Sequence, residues 1–144
     1  MTGRGFVACA ERLSRSPDEA DLRSAVSRAY YGAFHQVRAL LSECGVHVPK
    51  TEQVHVKIEF CLRGCGDPIA AHAGQQLERL RARRKAADYD LDDTRYITAS
   101  AVQSEIRRAL EILETIENRL SDSTSGFRTK VRAHATLLGL TISD

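Results

Sequence analysis

Two groups of residues in this 144-residue chain have the types and spacing to handle a phosphate. The first is a polar stripe in which Ser24, Arg28, Tyr31, His35, Arg38 and Ser42 recur at intervals of three and four. On a helix, residues so spaced stack along one face. Arg28 and His35 then stand two turns apart, roughly 10 Å along the axis, and a long Arg side chain narrows that gap. A guanidinium can grip a phosphodiester, and an imidazole that titrates near neutrality can move a proton. The same stripe also fits a solvated face or a dimer rim.

The second group lies at residues 79–93. Arg79, Arg81, Arg83, Arg84 and Lys85 put five basic residues into seven, and Asp88, Asp90, Asp92 and Asp93 follow. Basic residues near a helix C-terminus are ordinary complements of its dipole. Arg84 stands apart because it continues the apolar series Ala73, Leu77, Leu80 by four residues and so should point inward. A buried charge needs a partner, and Asp88, one turn on, and Tyr89 are the nearest candidates. Two readings stay open: an Arg–Asp clamp that ends a helix, and an anion-binding pocket built on Arg84.

The elements that must hold these groups are helical. The chain is 42% hydrophobic, 28% charged and only 6% aromatic, with no Trp. That is too apolar for a disordered chain and too poor in aromatic and turn residues for a β-sandwich. Ser16-Pro17-Asp18-Glu19 reads as a capping box, and Gly45 suits a helix C-terminus. A long helix is expected over 17–44, with Leu22, Val26, Ala29, Ala33, Val37, Leu40 and Cys44 as its seam. A short helix with Phe6, Val7, Ala10 and Leu13 inward should precede it. Thr51 would cap a helix over 52–63, with Val54, Ile58, Cys61 and Leu62 buried, until Arg63-Gly64-Cys65-Gly66 breaks it. Asp67-Pro68 reads as cap and first turn of a helix running through Ile69, Ala73, Leu77, Leu80 and Arg84 to about Ala87. Residues 88–93 form an acidic turn. Asp93 or Thr94 would cap a last long helix over 95–120, with Val102, Ile106, Ala109, Leu113, Ile116 and Leu120 inward. The expected architecture is an all-α, up-and-down bundle of four to five antiparallel helices in residues 1–120. Residues 121–144 read as a polar linker and tail that either forms a short helix around Val131, Ala135 and Leu138 or stays mobile.

Charge narrows the partners. The chain carries 17 Arg against 4 Lys, a skew that suits bidentate phosphate contacts but also follows from codon usage. The net charge of +2 hides an asymmetry: residues 1–86 hold 14 basic and 9 acidic residues, residues 87–144 hold 7 and 10. A local phosphate site fits this distribution better than indiscriminate coating of nucleic acid. No apolar run is long enough for a membrane span or a signal peptide, so a cytoplasmic protein with reduced cysteines is expected. Cys61 and Cys65, flanked by His55 and His72, lack the tight spacing of a zinc site, and Cys9 and Cys44 read as small core residues. No metal or cofactor is expected. No glycine-rich phosphate loop or nucleophile elbow is present.

The string from Leu22 to His35, Leu-Arg-Ser-Ala-Val-Ser-Arg-Ala-Tyr-Tyr-Gly-Ala-Phe-His, and the later Arg84-Lys85-Ala86-Ala87-Asp88-Tyr89 together resemble the HEPN family of small helical domains. The resemblance spans about residues 5–120, and His55 is similar to a His commonly found at the start of the middle helix. It implies a bundle that forms a homodimer and is often encoded beside a minimal nucleotidyltransferase antitoxin. Many members are metal-independent endoribonucleases acting as toxins or in defence, with RNA as substrate. Their signature is an Arg followed four to six residues later by a His, before the last long helix. Here that junction carries Arg84, Asp88 and Tyr89 without a His, while Arg28 and His35 repeat an Arg–His spacing on an earlier helix. The resemblance therefore nominates Arg84, Asp88, Tyr89, Arg28 and His35 as catalytic, and Tyr89 as comparable to a Tyr that a partner nucleotidyltransferase adenylylates. A non-catalytic module that binds a nucleotidyltransferase or a nucleotide, and general RNA binding through the basic run, are the competing readings.

Overall fold

The computed structural model describes residues 1–144. The chain forms six helices, α1 (Gly3–Leu13), α2 (Glu19–Glu43), α3 (Val54–Arg63), α4 (Pro68–Tyr89), α5 (Ala99–Ser121) and α6 (Phe127–Leu137), with two short strands, β1 (Val46–His47) after α2 and β2 (Thr141–Ile142) after α6. The long helices α2, α4 and α5 pack against one another, with α1 lying along α2 and α3 along α4. The chain is thus an all-α bundle.

Periodicity explains the core. Every residue of the expected α2 seam, from Leu22 to Cys44, is buried. Ala73, Leu77, Leu80 and Arg84 line the inner face of α4 as their spacing requires, and Val102, Ile106, Ala109, Leu113 and Ile116 do so on α5. Several expected core residues depart from this, with Phe6, Leu13 and Leu120 only partly buried. Ile69 is half exposed, because the buried series of α4 begins at Ala70 and continues through Ala73, Gly74 and Leu77. Cys9 is only partly buried, one position off the Val7–Ala10 face of α1.

The helix starts reveal where side chains found better partners. The Ser16–Glu19 capping box does not form. The Ser16 hydroxyl accepts from the Asp18 N–H at 3.2 Å, while the Glu19 carboxylate is taken by Arg23 one turn later at 2.8 Å. Helix α2 consequently begins at Glu19, two residues late. Thr51 does not cap α3; its carbonyl closes a turn with the Val54 N–H, and Gln53 precedes the helix. Asp67 caps α4 as expected, accepting from the Ile69 and Ala70 amides at 3.0 and 3.1 Å. Burial pushes the Asp67 carboxyl up, but the hydrogen bond from Arg119 and those two amides outweigh it and hold it below its ordinary value. Neither Asp93 nor Thr94 caps α5. Asp93 is held by Arg95 at 2.8–3.0 Å, and the cap is Thr98, which accepts from the Ala101 N–H.

Helix α4 runs two residues past the expected end, through Asp88 to Tyr89. Arg23 on α2 is the reason. Its guanidinium donates to the carbonyls of Ala87, Asp90, Leu91 and Asp93 at 3.0–3.2 Å, satisfying the orphan carbonyls where α4 ends. The C-terminal segment is tied down as well. Helix α6 buries Phe127, Val131 and Ala135, and β2 pairs antiparallel with β1, setting Val46 opposite Ile142 and His47 opposite Thr141. Arg132 donates to the Cys44 and Ser143 carbonyls at 2.9 and 2.6 Å. Gly45 turns the chain between them at φ +83°, a conformation that favours glycine. No helix is long and apolar enough to cross a membrane.

Candidate functional site

Helices α1 and α2 meet at two glycines. A Cβ on Gly3 would stand 2.3 Å from the Gly32 carbonyl oxygen, and one on Gly32 would stand 2.6 Å from the Val7 side chain. Only hydrogen fits, so the two backbones touch there. This contact carries Phe6 of α1 onto the polar stripe of α2. The His35 imidazole stacks on the Phe6 ring at 5.3 Å and 18°, and the Arg28 guanidinium carbon lies 5.3 Å from the same ring.

The Tyr31 ring is the hub of the site. The guanidinium carbons of Arg28 and Arg84 lie 5.4 and 5.5 Å from its centroid, and the imidazoles of His35 and His55 lie 6.1 and 6.2 Å from it. Two cations and two imidazoles from α2, α3 and α4 thus surround one half-buried aromatic ring. Cations over ring faces gain about 0.5–2 kcal/mol, which orients them without consuming their N–H donors. Arg28 has no hydrogen bond or ion pair with any side chain, so its fork is free to take an anion.

Arg84 is buried, as the apolar series indicated. Its only carboxylate is Asp88, at 3.8 Å, and its buried Nε has no hydrogen-bond partner. Asp88 also accepts from the Ser27 hydroxyl at 3.3 Å. The clamp reading and the anion reading therefore both have a part: Asp88 balances the charge loosely, and donors of Arg84 stay unspent. The guanidinium also lies 5.3 Å from the Tyr30 ring.

His55 joins the hub from α3. The buried Tyr30 hydroxyl lies 2.6 Å from His55 Nδ1. Burial, with help from the charge of Glu59, pushes the Tyr30 phenol far above its ordinary value, against the pull of Arg81 and Arg84. The phenol therefore keeps its proton and donates it to Nδ1, which leaves the hydrogen of neutral His55 on Nε2. Burial first, then Arg84, Arg81 and His35, holds the His55 imidazole below its usual pKa. The His35 imidazole is likewise lowered, by burial and then by Arg38, Arg28 and Lys50. Both rings are biased to the neutral form, and His35 makes no hydrogen bond that would occupy its nitrogens.

The structure thus brings Arg28, His35, Arg84 and Asp88 together and leaves Tyr89 apart. Tyr89 is 77% exposed at the end of α4 and touches none of the hub's rings. Beside the stripe, a cleft of about 320 Å³ opens between α2 and β1, and a second of about 580 Å³ opens between α1 and α2; His35 lines both. His55, Phe6 and the capping role of Arg23 emerge only with the tertiary structure. Of the three, His55 had a signal in its likeness in position to a His of the family resembled, and Phe6 had one in its inward place on the first helix.

The model of the HEPN domain family matches residues 7–120 of the chain. No curated protein and no solved structure matches it.

Proposed function

The chain belongs to the HEPN domain family, and from that premise we propose that it is a metal-independent endoribonuclease with a toxin or defence role, acting as a homodimer. The observation that carries this reading is the grouping of Arg28, Arg84, His35 and His55 around the Tyr31 ring. Such a set suits cleavage in which an RNA 2′-hydroxyl attacks the adjacent phosphorus, leaving a 2′,3′-cyclic phosphate and expelling the 5′-oxygen, which takes a proton from water to leave as a hydroxyl. Arg84 and Arg28 would hold the phosphate and offset the charge that grows on its oxygens. Neutral His35 would accept the 2′-hydroxyl proton. The Nε2–H of His55 would hydrogen-bond a phosphate oxygen, and Asp88 would orient Arg84. In the dimer, the Arg84 segments of two copies would border one basic cleft.

Control belongs to the same reading. The exposed Tyr89 hydroxyl, one turn beyond the buried Arg84, would be the acceptor for adenylyl transfer by a partner nucleotidyltransferase. One specific observation supports a second reading, a non-catalytic module that binds a nucleotidyltransferase or nucleotide: no His follows Arg84 within the spacing that the family's nucleases use. The two readings separate in one experiment. Purified protein incubated with cellular tRNA in excess chelator should yield fragments ending in 2′,3′-cyclic phosphate. Intact RNA, with tight co-purification of a nucleotidyltransferase, would select the second reading.

A further inference from the structure

Arg28, Tyr31, His35, Arg38 and Ser42 extend the stripe past the hub. From Arg28 to Arg38 it covers roughly 15 Å of helix axis, more than a single phosphate needs. At its far end is the cleft of about 320 Å³, with His35, Arg38 and Ser42 on the α2 wall and Val46, His47 and Val48 on the other. No carboxylate lines it. The Arg38 guanidinium is positioned by donating to the Val48 carbonyl at 2.9 Å and has no acidic partner. His47 is positioned from the opposite wall by the Ser143 hydroxyl, 2.7 Å from its Nε2. Ser42 is exposed and adds a hydroxyl donor. The apolar remainder, Ala39, Val46 and Val48, suits a sugar or base edge. The volume stands at the low end of small-ligand pockets, which begin at about 300 Å³. His35 belongs to both this cleft and the hub, so the two adjoin along α2.

We propose that the cleft between α2 and β1 is a subsite for a flanking phosphate and nucleoside of single-stranded RNA whose scissile phosphate lies at the Tyr31 hub. The inference rests on the proposed RNA reading of the hub and adds the direction in which the strand runs over α2. It also gives β1–β2 and the C-terminal tail a task. Ser143 holds His47, and Arg132 fixes the turn at Gly45 that positions β1.

The test compares a fluorescent uridylyl dinucleotide with an octauridylate, both 2′-deoxy so that neither is cut, by anisotropy over a range of salt. Ser42→Glu places a carboxylate in the cleft from an exposed helix position, so the fold should stand. It should weaken the octanucleotide about tenfold and leave the dinucleotide unchanged. His47→Gln should weaken the octanucleotide in the same sense, and Arg38→Gln should also reduce its salt slope by about 0.7, the value for one lost phosphate contact on a single strand. Arg28→Gln should weaken both probes alike. If Arg28→Gln weakens both while Ser42→Glu and His47→Gln leave the octanucleotide unchanged, the subsite is overturned and the hub reading stands. If Arg28→Gln affects neither probe, the hub reading fails with it. Uridine monophosphate that competes for the cleft as well as the octanucleotide does would overturn a strand subsite in favour of a mononucleotide site.

Discussion

Arg23 and Arg84 are equally buried, at 7% and 8% exposure, and face each other's elements across α2 and α4. Their surroundings differ completely. Arg23 spends its donors on the Glu19 carboxylate and on four backbone carbonyls of the segment that ends α4. Arg84 has one loose carboxylate at 3.8 Å, two aromatic faces and an unpartnered Nε. A saturated buried guanidinium works as a structural tie, because its removal strands the carbonyls it served. An unsaturated one holds unused binding capacity at a cost to stability. Burial alone does not separate these roles; the hydrogen-bond inventory does.

Arg84→Gln gives the largest expected effect. RNA cleavage should fall about 10²- to 10³-fold, while unfolding free energy by urea titration stays level or rises by up to about 1 kcal/mol. A large loss of stability would move Arg84 to the structural side. Arg23→Gln should do the opposite. Unfolding free energy should drop by about 2–4 kcal/mol, and the amides of residues 87–93 should exchange hydrogen faster. The comparison breaks if that variant is as stable as the parent.

The imidazoles give a smaller, pH-dependent effect. A general base must be unprotonated, and His35 is held below the ordinary 6.5 by burial and by Arg38, Arg28 and Lys50. The acid limb of the single-turnover rate should therefore have its midpoint below 6.5, and Arg38→Gln should move it upward. A midpoint above 6.5 would remove His35 from the proton transfer. Tyr89→Phe should have the smallest effect on cleavage, within about twofold, because the hydroxyl is solvent-exposed. It should abolish any adenylylation by a partner nucleotidyltransferase, read as the loss of a mass shift.

Much of this contrast was legible in the sequence. The three-and-four spacing fixed the α2 seam, and the continuation of Ala73, Leu77, Leu80 pointed Arg84 inward. The same spacing put Arg28 and His35 on one face. What stayed hidden was tertiary. His55 reaches the hub from α3, and Phe6 reaches it because Gly3 and Gly32 let two backbones touch. The tie made by Arg23 was not legible, since side-chain bonds to distant carbonyls leave no pattern in sequence. Helix α5 starts later than its cap residues suggest for a related reason: Asp93, a good cap by type, is spent on Arg95 and offers its carbonyl to Arg23. The tail's strand pairing, two residues on each side, was too short to signal itself.

Arg84 has donors to spare for a phosphate, and Arg23 has none. The direct measurement is ¹⁵N NMR of the arginine Nε–H groups while an uncleavable 2′-deoxy oligonucleotide is added. The Arg84 Nε–H resonance should shift on binding while that of Arg23 stays in place. An Arg84 resonance that does not move when the oligonucleotide is bound would contradict this.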